Sequence, residues 1–170
     1  MKRRTRILAA ALIVLAAAGA GLWLRGHAFS LVRVAGGSME RTLRNGDLAL
    51  VTRADFASDP PRRGDVVQCR FPGRPGAYIK RVIGLPGDRV AFSGGRLWLN
   101  GVRTEEPYVL TPTDDYAIEL GEDEYLVLGD NRAESYDSRM DDMGPLGRAD
   151  LLGRVRWILL PLDRFGPIQQ

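Results

Sequence analysis

A mainly β domain behind one N-terminal transmembrane helix is what this sequence predicts. Residues 7–24 form an 18-residue run of Ile, Leu, Ala, Val, Gly and Trp without a charge. Residues 31–170 instead break into short apolar runs separated by Gly, Pro, Asn and Asp, with no long stretch at helical period. Within them Asn100-Gly101 follows Leu97-Trp98-Leu99, and that dipeptide suits the positive φ angles of a tight hairpin turn.

The N-terminal run comes first. At about 1.5 Å per residue it spans roughly 27 Å, close to the lower limit for a hydrocarbon core of about 30 Å. Lys2, Arg3, Arg4 and Arg6 precede it, so residues 1–6 read as a cytoplasmic basic cap and residues 7–24 as an anchor. Residues 25–33 then form a juxtamembrane segment, with Trp23, Arg25 and His27 at interfacial positions, and residues 34–170 form an extracytoplasmic domain. A cleavable secretory signal is the competing reading, since Ala16, Ala17 and Ala18 supply small residues. The apolar run exceeds the usual h-region of about 7–15 residues, which favours a retained anchor.

The charge follows the same division. The net charge of the 170-residue chain is +3, but its first 30 residues hold five cations and no acid, leaving 19 cations and 21 acids beyond them. Basicity is therefore an N-terminal property, and the nucleic-acid reading that a basic chain invites falls away. With 45% hydrophobic and 26% charged residues the remainder fits one globular domain.

Along that domain, strands are expected at 48–52, 66–70, 78–83, 89–92, 97–99, 125–128 and 155–160. Pro60-Pro61-Arg62-Arg63-Gly64-Asp65 and Phe71-Pro72-Gly73-Arg74-Pro75-Gly76 are loops by composition. Glu119, Glu122, Asp123 and Glu124 read as a solvated loop. Ile158, Leu159, Leu160 and Leu162 are too few for a second span and read as a last core strand or an apolar edge.

Three scarcities narrow the chemistry. One Cys (Cys69) allows no intrachain disulfide and no Cys-rich zinc site, and neither a metal nor a cofactor is expected. One His (His27), just after the apolar run, is an interfacial residue rather than a triad member. Of the 24 cations only Lys2 and Lys80 are lysines. A lysine in water, with a pKa of about 10.4, is neutral in about four molecules per ten thousand at pH 7, but burial can lower that pKa by up to about 3–5 units. Ala77, Tyr78, Ile79, Val82 and Ile83 surround Lys80, and strand alternation sets it on one face with Tyr78 and Val82, with Arg81 on the other. A buried lysine amine is a usable general base, which an arginine is not; a surface lysine on an edge strand is the plainer alternative.

Ser38 follows two glycines in Val34-Ala35-Gly36-Gly37-Ser38-Met39, where small residues let a substrate backbone approach and backbone N–H groups face a developing oxyanion. A simple turn or helix N-cap explains the same residues. A third stretch, Gly129 to Arg139, is dense in polar side chains directly after an apolar strand. Ser135 could orient the Lys80 amine there, while Asp137 and Arg139 brace the loop.

Together the three blocks Gly37-Ser38-Met39-Glu40-Arg41-Thr42-Leu43, Lys80-Arg81-Val82-Ile83-Gly84-Leu85-Pro86-Gly87-Asp88, and Gly129-Asp130-Asn131-Arg132 through Ser135, Asp137, Ser138 and Arg139 resemble those of the type I signal peptidases. These are membrane-anchored Ser/Lys proteases with a β-rich catalytic core that remove signal peptides from exported proteins. The resemblance implies Ser38 as nucleophile, Lys80 as general base, the Ser38 backbone N–H in the oxyanion hole, and Ser135 as the serine bonded to the amine. It also implies that Met39, Leu43, Tyr78 and Ile79 line shallow pockets for small residues, giving cleavage at Ala-x-Ala sites, and that Asp130, Asn131, Arg132, Asp137 and Arg139 form a structural loop. Two positions depart from the pattern. Arg41 stands where the family usually has Pro, and Gly36 stands where some members carry a hydroxyl that joins the oxyanion hole.

The implied partners are preprotein signal peptides and a lipid bilayer, and an enzyme that cuts signal peptides at the membrane gains effective concentration by staying in its plane. The expected location is the cell membrane, single-pass, with the catalytic domain extracytoplasmic; the oligomeric state is left open. Two other functions fit the same features: a non-catalytic anchored β domain that binds exported chains, and a Ser/Lys protease dedicated to another substrate.

Overall fold

The computed structural model describes residues 13–19, 21, 29–53, 56 and 59–168. Of the expected anchor, residues 13–19 and 21 are helical and exposed, while the basic cap, Trp23, Arg25 and His27 lie outside the described residues. Among the described residues no helix is long and apolar enough to cross a membrane.

The rest is β-structure. The strands are β1 (Phe29–Arg33), β2 (Leu48–Thr52), β3 (Val66–Cys69), β4 (Tyr78–Gly84), β5 (Arg89–Ser93), β6 (Arg96–Leu99), β7 (Val102–Thr104), β8 (Tyr116–Glu119), β9 (Glu124–Leu128), β10 (Leu146–Gly147), β11 (Leu151–Leu160) and β12 (Gly166–Pro167). Short 3₁₀ turns at Arg148–Asp150 and Leu162–Arg164 flank β11. All seven expected strands are present within a few residues of their expected ends. One boundary is corrected: Phe29–Arg33, read as juxtamembrane chain, pairs with β2 as the edge of the main sheet, so the β domain includes residues before 34.

The main sheet runs β1-β2-β11-β3-β4-β9-β10, with β12 added against β11, and a second sheet runs β7-β6-β5-β8. Among the described residues the strand pairs are antiparallel. The β6–β7 hairpin turns at Asn100 (φ 51°) and Gly101 (φ 82°), the left-handed pair that the Asn-Gly dipeptide favours. Asn100 also accepts from the Arg89 N–H and donates to Asp88, which ties the turn to the start of β5.

Three apolar clusters hold these layers. Val67, Cys69, Val82, Val127 and Leu151 pack with Phe71, Tyr125 and Leu146 in the first. Ala49, Val51, Val66, Val155 and Ile158 form the second, and Met39 and Leu43 from the turn after β1 enter it. Ile83, Leu126 and Leu128 of the main sheet meet Val90, Phe92, Leu97 and Leu99 of the second sheet in the third. Strands β3 and β4 contribute to clusters on both sides and are therefore nearly continuous in burial, as a central strand requires. Any polar side chain on β4 must be desolvated and needs an internal partner.

Candidate active site

Two polar residues occupy the middle of β4. Lys80 is 2% exposed and shares a face with Tyr78 and Val82, both of which pack in the first cluster. Its amine lies 2.9 Å from Ser38 Oγ and donates to Ser135 Oγ at 3.1 Å. Burial pulls the Lys80 pKa below its ordinary 10.5, and the nearby Arg139 charge acts in the same direction. Asp137 and Asp130 oppose that fall without reversing it. The Cys69 thiol is buried as well and is pushed up to about 12, so it stays protonated and is no competing nucleophile.

Arg81 takes the opposite face and is fully buried. Its guanidinium binds Asp130 in a fork, Nε to Oδ1 at 2.9 Å and Nη2 to Oδ2 at 2.8 Å. It also donates to Gly64 O and Thr42 Oγ1, and it stands 4.0 Å over the Tyr108 ring. Thr42 completes a triangle by donating to Asp130 Oδ2 at 2.5 Å. The residue beside the lysine thus fastens the Ser38 turn to the loop after β9.

The Ser38 turn is gripped from that loop. Asn131 N–H donates to Ser38 O at 3.0 Å, and Asn131 Nδ2 donates to Gly37 O at 3.3 Å. Gly36 (φ 89°) is in the left-handed region and its N–H donates to Asn45 Oδ1. Among the described residues the Ser38 N–H donates no hydrogen bond. Arg41 has φ 83°, a conformation closed to Pro, whose ring fixes φ near about −65°. The departure at this position is therefore a change of backbone path as well as of side chain. The Arg41 Nη1 donates to Pro107 O at 3.4 Å.

The loop from Gly129 to Arg139 is internally saturated. Gly129 N–H donates to Ser135 Oγ at 3.1 Å and to Asp137 Oδ2 at 3.0 Å, and Arg132 Nε donates to Gly129 O at 3.0 Å. Arg139 binds the Asp137 carboxylate through Nε and Nη2 and donates to Arg132 O and Ser135 O. Burial alone would raise the Asp137 carboxyl, but Arg139, the Ser135 hydroxyl and the Gly129 N–H together hold it below the usual carboxylate value. Ser135 thereby donates its hydroxyl hydrogen bond to Asp137 and accepts from Gly129 and Lys80.

A cavity of about 300 Å3 opens beside Ser38 and Lys80, lined by Val34, Gly36, Met39, Ala77, Tyr78 and Ile79 among others. Met39, Tyr78 and Ile79 are on its wall as expected. Leu43 is not: it is fully buried in the second cluster and packs behind, with Met39. A leucine that closes the turn with its N–H on Met39 O and points into the core has no surface to offer.

Sequence reasoning left several members unassigned. Gly129 was part of a recognised block, yet its role is steric: a Cβ there would lie 2.2 Å from Ser135 Oγ and 2.4 Å from Ser38 O. Arg81 was placed on the opposite face with no partner named. Glu106, Tyr108 and Thr113, which contact Arg81 and Arg132, gave no signal, because their pairing spans 19 to 27 residues and rests on no local pattern.

A serine hydroxyl lies 2.9 Å from the amine of a buried lysine that also donates to a second serine, an arrangement able to support hydrolysis by a serine nucleophile with a lysine base. The chain belongs to the signal peptidase family, peptidase S26, whose family model matches residues 4–160. Signal peptidase I of Leptolyngbya laminosa is 38% identical over 141 residues, covering 77% of this chain and 68% of that protein. Signal peptidase I U of Bacillus subtilis is 32% identical over 148 residues, covering 81% and 77%. A crystal structure of a signal peptidase I from Enterococcus faecalis matches with a TM-score of 0.51 at 31% identity, over 55% of this chain and 95% of that one.

Proposed function

We propose that the protein cleaves N-terminal signal peptides from exported preproteins after small residues, at Ala-x-Ala sites, with Ser38 as nucleophile and Lys80 as general base. The observation that carries this reading is the Lys80 amine, 2% exposed and 2.9 Å from Ser38 Oγ. A binding domain has no use for a desolvated amine with a lowered pKa, whereas a base for a hydroxyl must be uncharged at working pH.

With the amine neutral, the Ser38 hydroxyl donates to Nζ. Attack forms the bond from Ser38 Oγ to the scissile carbonyl carbon, and the hydroxyl proton passes to Nζ. Collapse breaks the C–N bond as Nζ returns the proton to the leaving amine. A water then repeats the sequence on the acyl-enzyme, its proton passing through Lys80 to Ser38. Ser135 holds the amine in line at 3.1 Å, and Asp137 favours the transient ammonium by charge. The Ser38 N–H, which has no described protein acceptor, is the oxyanion donor in this reading; Gly36 adds no hydroxyl to it.

Met39, Tyr78 and Ile79 lie on the wall of the cleft, and in this reading they form shallow apolar pockets that select small side chains by excluding larger ones. Asp130, Asn131, Arg132, Asp137 and Arg139 hold the loop that carries Ser135. Residues 7–24 anchor the enzyme, with the N-terminus cytoplasmic and the catalytic domain extracytoplasmic. A partly exposed apolar row supports a domain lying against the bilayer: Leu31 and Trp157, both exposed, flank the half-buried Leu50 in register across β1, β2 and β11, and Leu160, Leu162 and Phe165 are exposed just beyond.

The test incubates the detergent-solubilised full chain with a preprotein bearing an Ala-x-Ala site. Wild type cleaves it, whereas Ser38→Ala, Lys80→Ala and Lys80→Arg do not; equal cleavage by all of them overturns the mechanism.

A further inference from the structure

Ser135 sits on a loop, and the loop is braced from outside by an extended segment of the second sheet. Residues 105–113 leave β7 and pass over both arginines of the site. Glu106 receives Arg132 Nη2 at 2.5 Å and Nη1 at 3.2 Å, and Thr113 Oγ1 accepts from the same Nη1 at 2.7 Å. Tyr108 donates its hydroxyl to Glu106 Oε1 at 3.2 Å, and its ring lies under the Arg81 guanidinium at 4.0 Å. Burial raises the Tyr108 phenol, so it remains a donor.

Both arginines are desolvated, with the Arg81 side chain 0% and the Arg132 side chain 1% exposed. Arg81 has Asp130 as a carboxylate partner, and Arg132 has Glu106. From Arg132 the path to the reacting atoms is short. Its Nε holds Gly129 O, the Gly129 N–H holds Ser135 Oγ and Asp137, and Ser135 Oγ holds the Lys80 amine. Gly129 has no slack in this path, since even a Cβ would overlap Ser135 and Ser38.

We propose that Glu106 and Tyr108 are positioning residues for the hydrolysis, pinning Arg132 and Arg81 so that the 129–139 loop keeps Ser135 and Lys80 aligned with Ser38. The inference rests on the Ser38/Lys80 reading. A guanidinium stripped of its buried carboxylate seeks another acceptor or water, and either outcome pulls on Gly129. Water that enters also reaches Lys80, whose other charged and titratable neighbours are Cys69 on β3 and Asp130, Asp137 and Arg139 on the loop. The amine then regains solvation and holds its proton to higher pH.

The experiment measures kcat, KM, the pH profile of kcat/KM and the Tm of the full chain in detergent, with an Ala-x-Ala peptide. Glu106→Gln and Tyr108→Leu are compared with Glu105→Gln, which removes only an exposed pairing with Arg103. The two test variants are expected to lose about tenfold or more in kcat with KM within about twofold. Their acid limb should move up by about half a pH unit or more, while Glu105→Gln matches wild type. If Glu106→Gln does not fold, Tyr108→Leu carries the same test. Wild-type kcat in the variants overturns the proposal, and so does a lowered Tm with an unmoved pH profile. Ser38→Ala and Lys80→Ala are assayed alongside: if these still cleave, the dyad reading has failed first; if they are dead and Glu106→Gln is normal, only the positioning role is lost.

Discussion

Gly129→Ala is the smallest change that should disable the site without removing any polar group. The added Cβ would stand 2.2 Å from Ser135 Oγ, 2.4 Å from Ser38 O and 2.5 Å from Ser135 Cβ. To reach even 3.0 Å, Ser135 Oγ must retreat by 3.0 minus 2.2, or 0.8 Å, and Ser38 O by 3.0 minus 2.4, or 0.6 Å. Gly129 φ lies outside the left-handed region, so the cost is steric overlap rather than backbone strain. Overpacking of this kind costs about 1–3 kcal/mol. At about 2–4 °C per kcal/mol for a chain of this size, Tm should fall by several degrees. The loss of activity should be larger, because Ser135 starts 3.1 Å from Lys80 Nζ and a displacement near 1 Å at a reacting group costs about 10²-fold. The assay is kcat/KM on an Ala-x-Ala peptide, with a thermal melt on the same preparation. Adding Ser135→Ala to Gly129→Ala should return part of the lost Tm and none of the activity. Wild-type rate and Tm in the single variant would refute the steric reasoning.

Further outcomes follow from the lysine and from the turn. Because burial lowers the Lys80 pKa, kcat/KM should rise with pH through that lowered value and be lost below it as the amine protonates. The same shift acts on stability: the unfolded chain binds the proton below about 10.5, the folded chain binds it only below its lower pKa, and folding is penalised increasingly between the two as pH falls. Lys80→Met should therefore melt higher than wild type at neutral pH, with the gap closing as pH rises towards 10.5, which melts across that range will show. Arg41 sits at φ 83°, where a side chain costs about 1–2 kcal/mol and glycine's extra chain entropy costs about 0.5–1, so Arg41→Gly should gain roughly 0.5–1 kcal/mol. Arg41→Pro should lower Tm, and denaturant midpoints for both will test the left-handed turn.

Legibility in the sequence followed the range of the interactions. Lys80 stood out because its flanks Tyr78, Ile79, Val82 and Ile83 predict burial by themselves, and alternation alone put Arg81 on the other face. The Asn100-Gly101 turn was equally local. β1 was missed because alternate residues of Phe29–Arg33 are exposed and its partner β2 lies 15 residues beyond it. β7 has one apolar residue in three and β8 is only four residues long, and the first half of β11 is broken by Gly153 and by Arg154, whose charge is matched far away at Asp65. Leu43 was assigned to the wall of the cleft because sequence cannot tell a side chain facing the cavity from one just behind it. Glu106 lies within, and Tyr108 directly after, the ordinary-looking stretch Glu105-Glu106-Pro107, and only the folded chain brings them to Arg132 and Arg81.

The burial of the Lys80 amine also couples activity to closure. Nothing covalent lowers the proton affinity of that nitrogen; burial by the strands around it and the loop above it does so. A molecule whose Ser135 loop has swung away would hold its Lys80 proton to higher pH and, in the proposed mechanism, weaken its base in the same motion. In the proposed mechanism the base is therefore strongest while the protein around it is shut.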